Sequence, residues 1–252
     1  MNNRIAIIMP EGIQYEYCIQ QFLDEGLNVK LIVRLKRKKI SVMVKFKKII
    51  KYFLFHKYNL ENAKNKNVRA ARKILRDSLK ITNHKNNMKG IEILCLNNFD
   101  QELLTSKLKN YNIDFCCIWG CPILKSKMID SVSKKIINAH TSILPHFKGS
   151  FSEFWQFYHR DFNNAGVTFH EVDSGVDTGN VIFQLHAMES ECINPQLLRA
   201  YNSIRIANNY ANIVRKYINS ELLPFKQIQK NSDTTYKTKD MTFEKQCEVY
   251  LN

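Results

Sequence analysis

The chain contains 252 residues, of which 44% are hydrophobic and 11% aromatic, a composition that is typical of a globular protein and excludes a disordered or fibrous chain. Its formal charge of +15 favours partners that carry phosphate or another anionic group. Seven cysteines without a Cys-x-x-Cys pair indicate free thiols in a reducing compartment and argue against a disulfide framework or a metal site.

The chain opens with a predicted strand, helix and strand. Ile5 to Met9 is an apolar run of strand length, Ile13 to Leu27 has the character of a helix that ends near Gly26, and Val29 to Val33 is a second apolar run. This order predicts a parallel sheet. Because the first run lacks the features of a signal peptide, and no stretch has the length of a membrane span, we expect a cytoplasmic protein.

A basic segment from Arg34 to Lys89 interrupts the regular alternation and is interpreted as an insertion. Between residues 31 and 90 there are 19 of the 38 Lys and Arg residues, against only Glu61 and Asp77 on the acidic side. Such a concentration of positive charge attracts phosphates of a nucleotide sugar, of RNA or of an anionic lipid surface.

The first half of this segment predicts a basic amphipathic helix. Apolar residues recur there at steps of three and four, and lysines occupy the other side. The apolar set is Val42, Phe46, Ile49 and Phe53, and the lysines are Lys45, Lys48 and Lys51. This helix could contact a membrane through residues 40–57, or it could pack on its own domain with its lysines in water. A second helix over Asn67 to Ile81 and a mobile loop over Thr82 to Asn87 are also expected.

Regular alternation then resumes and predicts an α/β fold with a mostly parallel central sheet. The predicted strands are Ile91 to Leu96, Ile113 to Trp119, a short one ending at Ile136-Ile137, Val167 to Val172 and Val181 to His186. The predicted helices are Phe99 to Leu108, Ser152 to Phe162 and Pro195 to Ile218.

Polar residues stand where one of these strands ends. Asn138 and His140 are two residues apart, so on an extended backbone their side chains project to one side. An amide can hold a developing oxyanion, and an imidazole can accept a proton from an attacking amine. Asp177 is the expected third member, because a carboxylate orients and stabilises an imidazole, although it could instead form a turn, the role assigned to Asp173. His170 is interpreted as a structural histidine that could also line a cleft.

These residues belong to two motifs, Asn138-Ala139-His140-Thr141-Ser142-Ile143-Leu144-Pro145-His146-Phe147-Lys148-Gly149 and Asp173-Ser174-Gly175-Val176-Asp177-Thr178-Gly179. Both resemble motifs of the folate-dependent formyltransferases, which include glycinamide ribonucleotide, methionyl-tRNA and nucleotide-sugar N-formyltransferases. The resemblance runs from about Asp114 to about Tyr217. The chain departs from the family at Thr141, where Pro is frequent, and at Lys148, where Arg is frequent and can bind an anion in a bidentate manner.

The resemblance implies a Rossmann-like formyltransferase fold and direct transfer of a formyl group from 10-formyltetrahydrofolate to an amine. It implies that Asn138, His140 and Asp177 are catalytic, and it needs neither a metal nor a nucleophile such as Cys121. The loop after Trp119 matches the family's pterin-binding loop. The implied cofactor-binding residues are Pro122, Ile123, Leu124, Val172, Gly175, Val176 and Asp177, and the implied substrate-binding residues are Lys148 and Ser152.

The domain and substrate predictions follow by elimination. Residues 1–219 are expected to form the catalytic domain and residues 220–252 a C-terminal extension, too short for the nucleic-acid-binding barrel of initiator-tRNA enzymes. The turn Pro10 to Ile13 lacks the glycine-rich loop that holds a ribotide phosphate. A nucleotide-linked amino sugar, as used in lipopolysaccharide or O-antigen biosynthesis, is the remaining expectation, in an enzyme that could be a homodimer.

Two alternatives stay open. In a formyltetrahydrofolate hydrolase, water would replace the amine. A protein of another class would keep the fold without catalysis and would bind a membrane surface or a nucleic acid through the basic insertion.

Overall fold

The computed structural model describes residues 3–36, 55–81, 88–228 and 234–251. The amphipathic helix predicted around Val42 to Phe53 and the loop predicted at Thr82 to Asn87 lie outside this part of the chain. The strands are β1 Ile5–Pro10, β2 Val29–Leu35, β3 Glu92–Leu96, β4 Phe115–Trp119, β5 Lys135–His140, β6 Lys148–Gly149, β7 Gly166–Glu171, β8 Val181–His186 and β9 Thr235–Tyr236. The helices are α1 Ile13–Asp24, α2 Phe55–Ser78, α3 Gln101–Asn110, α4 Ser126–Ile129, α5 Ser152–Tyr158, α6 Pro195–Ile218 and α7 Phe243–Leu251.

A seven-stranded sheet in the order β3-β2-β1-β4-β5-β7-β8 forms the centre of the described structure. The strands from β3 to β5 run parallel to their neighbours, whereas β7 and β8 pair in the antiparallel sense. The predicted α/β class with a mostly parallel sheet is confirmed. The strand order reverses between β1 and β4, and ligands of open α/β sheets bind near the carboxyl ends of the strands at such a point.

Both faces of the central strands are buried, which explains why they appear in the sequence as continuous apolar runs. In β1, Ile5, Ile7 and Met9 face a cluster that includes α1 and α6, while Ala6 and Ile8 face a second cluster that includes α3. The alternation follows from the two-residue period of a strand. The sheet therefore lies between two helical layers.

Several boundaries differ from those predicted. β2 extends to Leu35 and pairs with β3, so the basic segment starts beyond Arg34. α2 begins at Phe55, earlier than predicted, and ends at Ser78. α5 ends at Tyr158 and not at Phe162, because the chain turns at Arg160, which has a positive φ of 53°. None of the helices in the described ranges has both the length and the apolar character that crossing a bilayer requires.

The C-terminal segment packs on the rest of the described structure. β9 pairs with β6, and α7 contacts both α2 and α5. Tyr250 of α7 packs against Phe154 and accepts a hydrogen bond from Gln196 Nε2 at 2.8 Å. Residues 220–252 were predicted as an extension from their polar composition, and it is these aromatic contacts that attach them to α5.

Tyr210 joins helix α6 to the centre of the sheet. Its side chain is fully buried, and its hydroxyl lies 2.7 Å from the carbonyl oxygen of Ile137 and 3.1 Å from that of Ile118. We expect Tyr210→Phe to lower the free energy of unfolding by about 1–2 kcal/mol, because it leaves buried carbonyl groups with fewer donors. Urea unfolding measures the change.

Tyr201→Phe on the same helix is the matched control. Tyr201 is half-buried, and within the described residues its hydroxyl makes no hydrogen bond. An equal loss of stability in the two variants would contradict the assignment of the effect to the Tyr210 hydrogen bonds.

Candidate active site

A cleft of about 430 Å³ opens at the carboxyl ends of β4 and β5. Its walls come from five stretches of the sequence: residues 118–124, the end of β5, residues 149–150, the segment 170–177 and the C-terminal residues 235–238. The volume lies in the range of small-molecule sites, so the placement and the size of the cleft both favour ligand binding.

Asn138 meets a histidine across the sheet. It lies on β5 directly opposite His170 on β7, and its Nδ2 is 3.0 Å from His170 Nε2. His170 Nδ1 is 2.7 Å from the carbonyl oxygen of Glu171. Because a carbonyl can only accept, Nδ1 carries the hydrogen and Nε2 is left to accept from Asn138. The pair therefore fixes the orientation of the Asn138 amide.

His140 is held in one tautomer by a similar arrangement. Its Nε2 lies 3.0 Å from the carbonyl oxygen of Phe147 and 3.2 Å from Ser152 Oγ. Because a carbonyl oxygen can only accept, the contact at 3.0 Å places the ring hydrogen on Nε2. Nδ1 is consequently the basic nitrogen, and it faces Asp177 Oδ2 at 3.5 Å.

The Asp177 carboxylate joins all of these groups. Oδ2 accepts a hydrogen bond of 2.8 Å from the backbone N–H of Gly149, and Oδ1 lies 3.5 Å from both Asn138 Nδ2 and His170 Nε2. Asp177 has a left-handed backbone with a φ of 54°, which Asp and Asn adopt more readily than most residues. This turn directs the carboxylate towards Asn138 and His140 at the end of β5.

The electrostatics of the cluster favour the ionised carboxylate. Burial raises the pKa of Asp177, but the electrostatic effects of His140 and His170 and the hydrogen bond from the Gly149 N–H together lower it by more, so the pKa lies well below its usual range. Asp177 is therefore an anion that can orient or stabilise a protonated imidazole at neutral pH.

Gly149 connects this cluster to the C-terminal segment. It has a φ of 91°, and a Cβ at this position would come within 2.2 Å of the Tyr236 carbonyl oxygen. Glycine therefore permits the close pairing of β6 with β9. This pairing places Tyr236 and Lys237 along the cleft, a contribution that the sequence analysis missed because no local pattern links residues 149 and 236.

The structure brings the predicted catalytic and cofactor-binding residues to one cleft. Asn138, His140 and Asp177 lie together beside the predicted cofactor-binding set, which is Pro122, Ile123, Leu124, Val172, Gly175 and Val176. His170, interpreted as structural from sequence, contacts two of the three catalytic candidates and lines the same cleft. The functional roles of all these residues stay predictions.

Lys148 and Ser152 are placed differently from the other candidates. Lys148 is only 6% exposed, and neither residue lines the cleft. The Ser152 hydroxyl contacts His140 and donates to Phe147, so its position suits support of the histidine better than contact with a substrate. The substrate-binding role of both residues stays a prediction, with no contact to the cleft in its favour.

Two further interpretations can be compared with the structure. The Asp173 carboxylate accepts from the Gly175 N–H at 3.0 Å and from Thr178 Oγ1 at 2.6 Å, which confirms that Asp173 forms the turn. Burial raises the pKa of the Cys121 thiol to about 12, so this residue lacks the thiolate that a nucleophile needs.

Among the described residues, no three His, Cys, Asp or Glu side chains are grouped so that they could share a metal ion.

Comparison with known proteins identifies relatives of this arrangement. The family model described as formyl transferase matches residues 3–191. A methionyl-tRNA formyltransferase of Finegoldia magna is 30% identical over 95 residues, which are 37% of this chain and 30% of that enzyme. The match therefore spans less than a third of that relative's length.

Solved structures share the fold at low identity. The glycinamide ribonucleotide transformylase 1 of Symbiobacterium toebii is 20% identical, with a TM-score of 0.57 over 90% of this chain and 94% of that one. The formyltransferase PseJ of Anoxybacillus kamchatkensis is 17% identical, with a TM-score of 0.50 over 95% of this chain and 88% of that one. PseJ was solved with UDP-4,6-dideoxy-4-formamido-L-AltNAc and tetrahydrofolate.

The lowered pKa of Asp177 makes stability depend on pH. Because the pKa is lower in the folded state, the contribution of this carboxylate is complete above the unfolded value of about 4 and is lost as the pH falls towards the folded value. We expect Asp177→Asn to be less stable than the parent protein at neutral pH, by a difference that shrinks below about pH 4. Urea unfolding of both proteins across this range measures the difference.

Asn suits the left-handed backbone at position 177, so the substitution tests the charge and not the turn. Asp173→Asn, which removes an exposed carboxylate from the same loop, is the matched control. A difference between Asp177→Asn and the parent that does not change with pH would contradict the electrostatic account.

Proposed function

The chain belongs to the formyl transferase family, and we propose that it transfers a formyl group from 10-formyltetrahydrofolate to the primary amine of a nucleotide-linked amino sugar. The observation that carries the proposal is the convergence of Asn138, His140 and Asp177 on one cleft. An amide, an imidazole and an ionised carboxylate are the groups that acyl transfer to an amine requires.

Each of the three residues has a role that its contacts support. An attacking amine must lose a proton, and the basic Nδ1 of His140 beside Asp177 is placed to accept it and to return it to the folate nitrogen when the bond from that nitrogen to the formyl carbon breaks. The carbonyl oxygen gains negative charge, and the Asn138 amide is oriented by His170 to donate to it. His170 is a positioning residue in this scheme, because it acts through Asn138 and Asp177.

The apolar wall of the cleft suits a folate. Pro122, Ile123 and Leu124 lie on one side, with Val172 and Val176 also at the cleft. The Ile123 side chain is 71% exposed, an unusual exposure for an isoleucine in a cleft and one that a flat aromatic ring would cover. When bound, the folate would supply the activated formyl group. The joint presence of tetrahydrofolate and a formamido sugar nucleotide in the PseJ structure supports both halves of the proposal.

Residues 235–238 form the side of the cleft where the acceptor would bind, called here the acceptor side, and this side is polar and contains one cation. Lys237 is the only Lys or Arg among the described residues that line the cleft, and it is exposed. A lysine at this position can pair with the diphosphate of a sugar nucleotide. The turn between β1 and α1 has no glycine-rich loop for a ribotide phosphate, which favours the longer acceptor in which Lys237 holds the diphosphate.

A cytoplasmic location forms part of the proposal. All seven cysteines are free in the structure, as is usual in a reducing compartment, and cytoplasm is also where a nucleotide-linked substrate would be met. Contact with a membrane through residues 40–57 and a homodimer stay predictions, since most of that segment lies outside the described residues and no second chain is present.

A screen tests the reaction and the catalytic assignment together. With 10-formyltetrahydrofolate, we expect a nucleotide-linked amino sugar to gain the mass of one carbonyl, detected by mass spectrometry. Asn138→Ala and Asp177→Asn should each fold and lose ~10²–10³ in turnover, because each removes a group that interacts with the transition state.

Two outcomes would contradict this proposal. Full turnover in either variant would refute the assigned roles. Rapid release of formate without any acceptor would instead indicate the hydrolase, in which water takes the place of the amine. Circular dichroism and urea unfolding of each variant establish that lost turnover does not come from lost folding.

Lys237→Gln tests the acceptor side separately. We expect the KM for the sugar nucleotide to rise roughly tenfold, the loss expected for one charge-assisted contact, with kcat and the KM for the folate retained. Lys239→Gln is the matched control, because Lys239 is exposed on the same segment but does not line this cleft. An unchanged KM in Lys237→Gln would show that the diphosphate is held elsewhere.

A further inference from the structure

Helix α2 carries a row of cations on one face. Lys66, Arg69, Lys73 and Arg76 follow each other at steps of three, four and three, which aligns them along the helix. All four are exposed, as is Arg72 beside them. At 1.5 Å per residue, the row from Lys66 to Arg76 is about 15 Å long.

The opposite face of α2 attaches the helix to the protein. Ala71 is buried in a cluster with Leu197 and Ala200 of α6, and Ile74 and Leu75 pack against that cluster. Lys66 and Arg69 lie roughly half a turn away from these residues, as the period of 3.6 requires. The helix is therefore fixed by its apolar side, and its cationic row points outwards from the structure.

No described part of the chain balances the charge of this row. None of the ion pairs formed within the described ranges involves the five cations, and Asp77 is the only acidic residue of α2 near them. Like charges three and four residues apart weaken a helix. A row of this kind costs the helix stability unless an external anion approaches it.

We propose that this face of α2, the basic row, binds the anionic headgroups of a phospholipid bilayer. A straight row of cations on a convex helix can face a planar layer of anionic lipids, and each Lys or Arg near such a surface adds to the attraction. The exposed Ile81, which follows Lys80 just beyond the helix, adds an apolar side chain at the end of the row. The binding would hold the enzyme at a membrane surface and does not depend on the reaction it performs.

RNA is the other polyanion that a basic row could meet, and the structure favours it less. Binding of a single strand combines cations with aromatic side chains on which bases stack. From position 65 to position 78, the exposed residues other than the cations are Asn65, Ala70, Asp77 and Ser78. The sequence has no Phe, Tyr or Trp from residue 59 to residue 98. The basic row therefore offers charge without a surface for bases.

Vesicle sedimentation with the full chain tests the proposal. The protein should sediment with phosphatidylcholine vesicles that contain phosphatidylserine and should remain in solution with phosphatidylcholine alone. The triple variant Arg69→Gln, Lys73→Gln, Arg76→Gln should lower the partition coefficient on the order of 100-fold, at roughly fivefold for each cation lost. Its helix content and its formyl transfer should be unchanged.

A second triple variant has the same net charge as the first and replaces other exposed lysines. Lys109→Gln, Lys127→Gln, Lys226→Gln removes three exposed cations outside α2, and it should bind vesicles as the parent does, because charges beyond about 10 Å are screened at moderate salt. An equal loss in both triple variants would overturn the proposal in favour of net charge. Retained vesicle binding in the α2 variant, no vesicle binding by the parent, or tighter binding to an RNA oligonucleotide than to vesicles would each overturn it as well.

Discussion

The Asp177 carboxylate is the contact on which the site depends. It meets the end of β5 through Asn138 and His140, β7 through His170, and β6 through the Gly149 N–H. A buried carboxylate with fewer partners would be neutral or would destabilise the fold. With these partners it stays charged, while the tautomers of the two histidines beside it are set by the carbonyl oxygens of Phe147 and Glu171.

This arrangement explains which features could be predicted from sequence. Strands β1, β2 and β4 are apolar runs because both of their faces are buried, and a run of that kind is a local signal. The pairing of Asn138 with His140 is also local, because residues two apart on a strand share a face. Asp177 could be joined to them only through the resemblance of its motif to a known family, since nothing in its own surroundings distinguishes a catalytic aspartate from a turn-forming one.

The features that were missed or left open depend on contacts between distant segments. His170 lies in the middle of an apolar strand, so the sequence left open whether it is structural or lines a cleft, and its contact with Asn138 depends on the register in which β7 pairs with β5. Tyr236 and Lys237 belong to a polar stretch without periodicity, and their position follows from the pairing of β9 with β6. Lys148 shows the reverse case, because its place within the motif from Asn138 to Gly149 predicted substrate binding, and the side chain is buried and does not line the cleft.

The geometry also separates the parts of the cleft that serve different tasks. The end of β5 carries Asn138 and His140, while Asp177 and the apolar wall lie in the loops that follow β7 and β4. The acceptor side is completed by residues 235–238, which are held by one short strand pair. Because short strand pairs and loops tolerate change better than a central sheet does, this segment can change while Asn138 and His140 keep their places at the end of β5. Gly149 limits that freedom, since its N–H donates to Asp177 and its backbone lies against the Tyr236 carbonyl. A shift of residues 235–238 therefore moves the donor that helps to keep the carboxylate ionised.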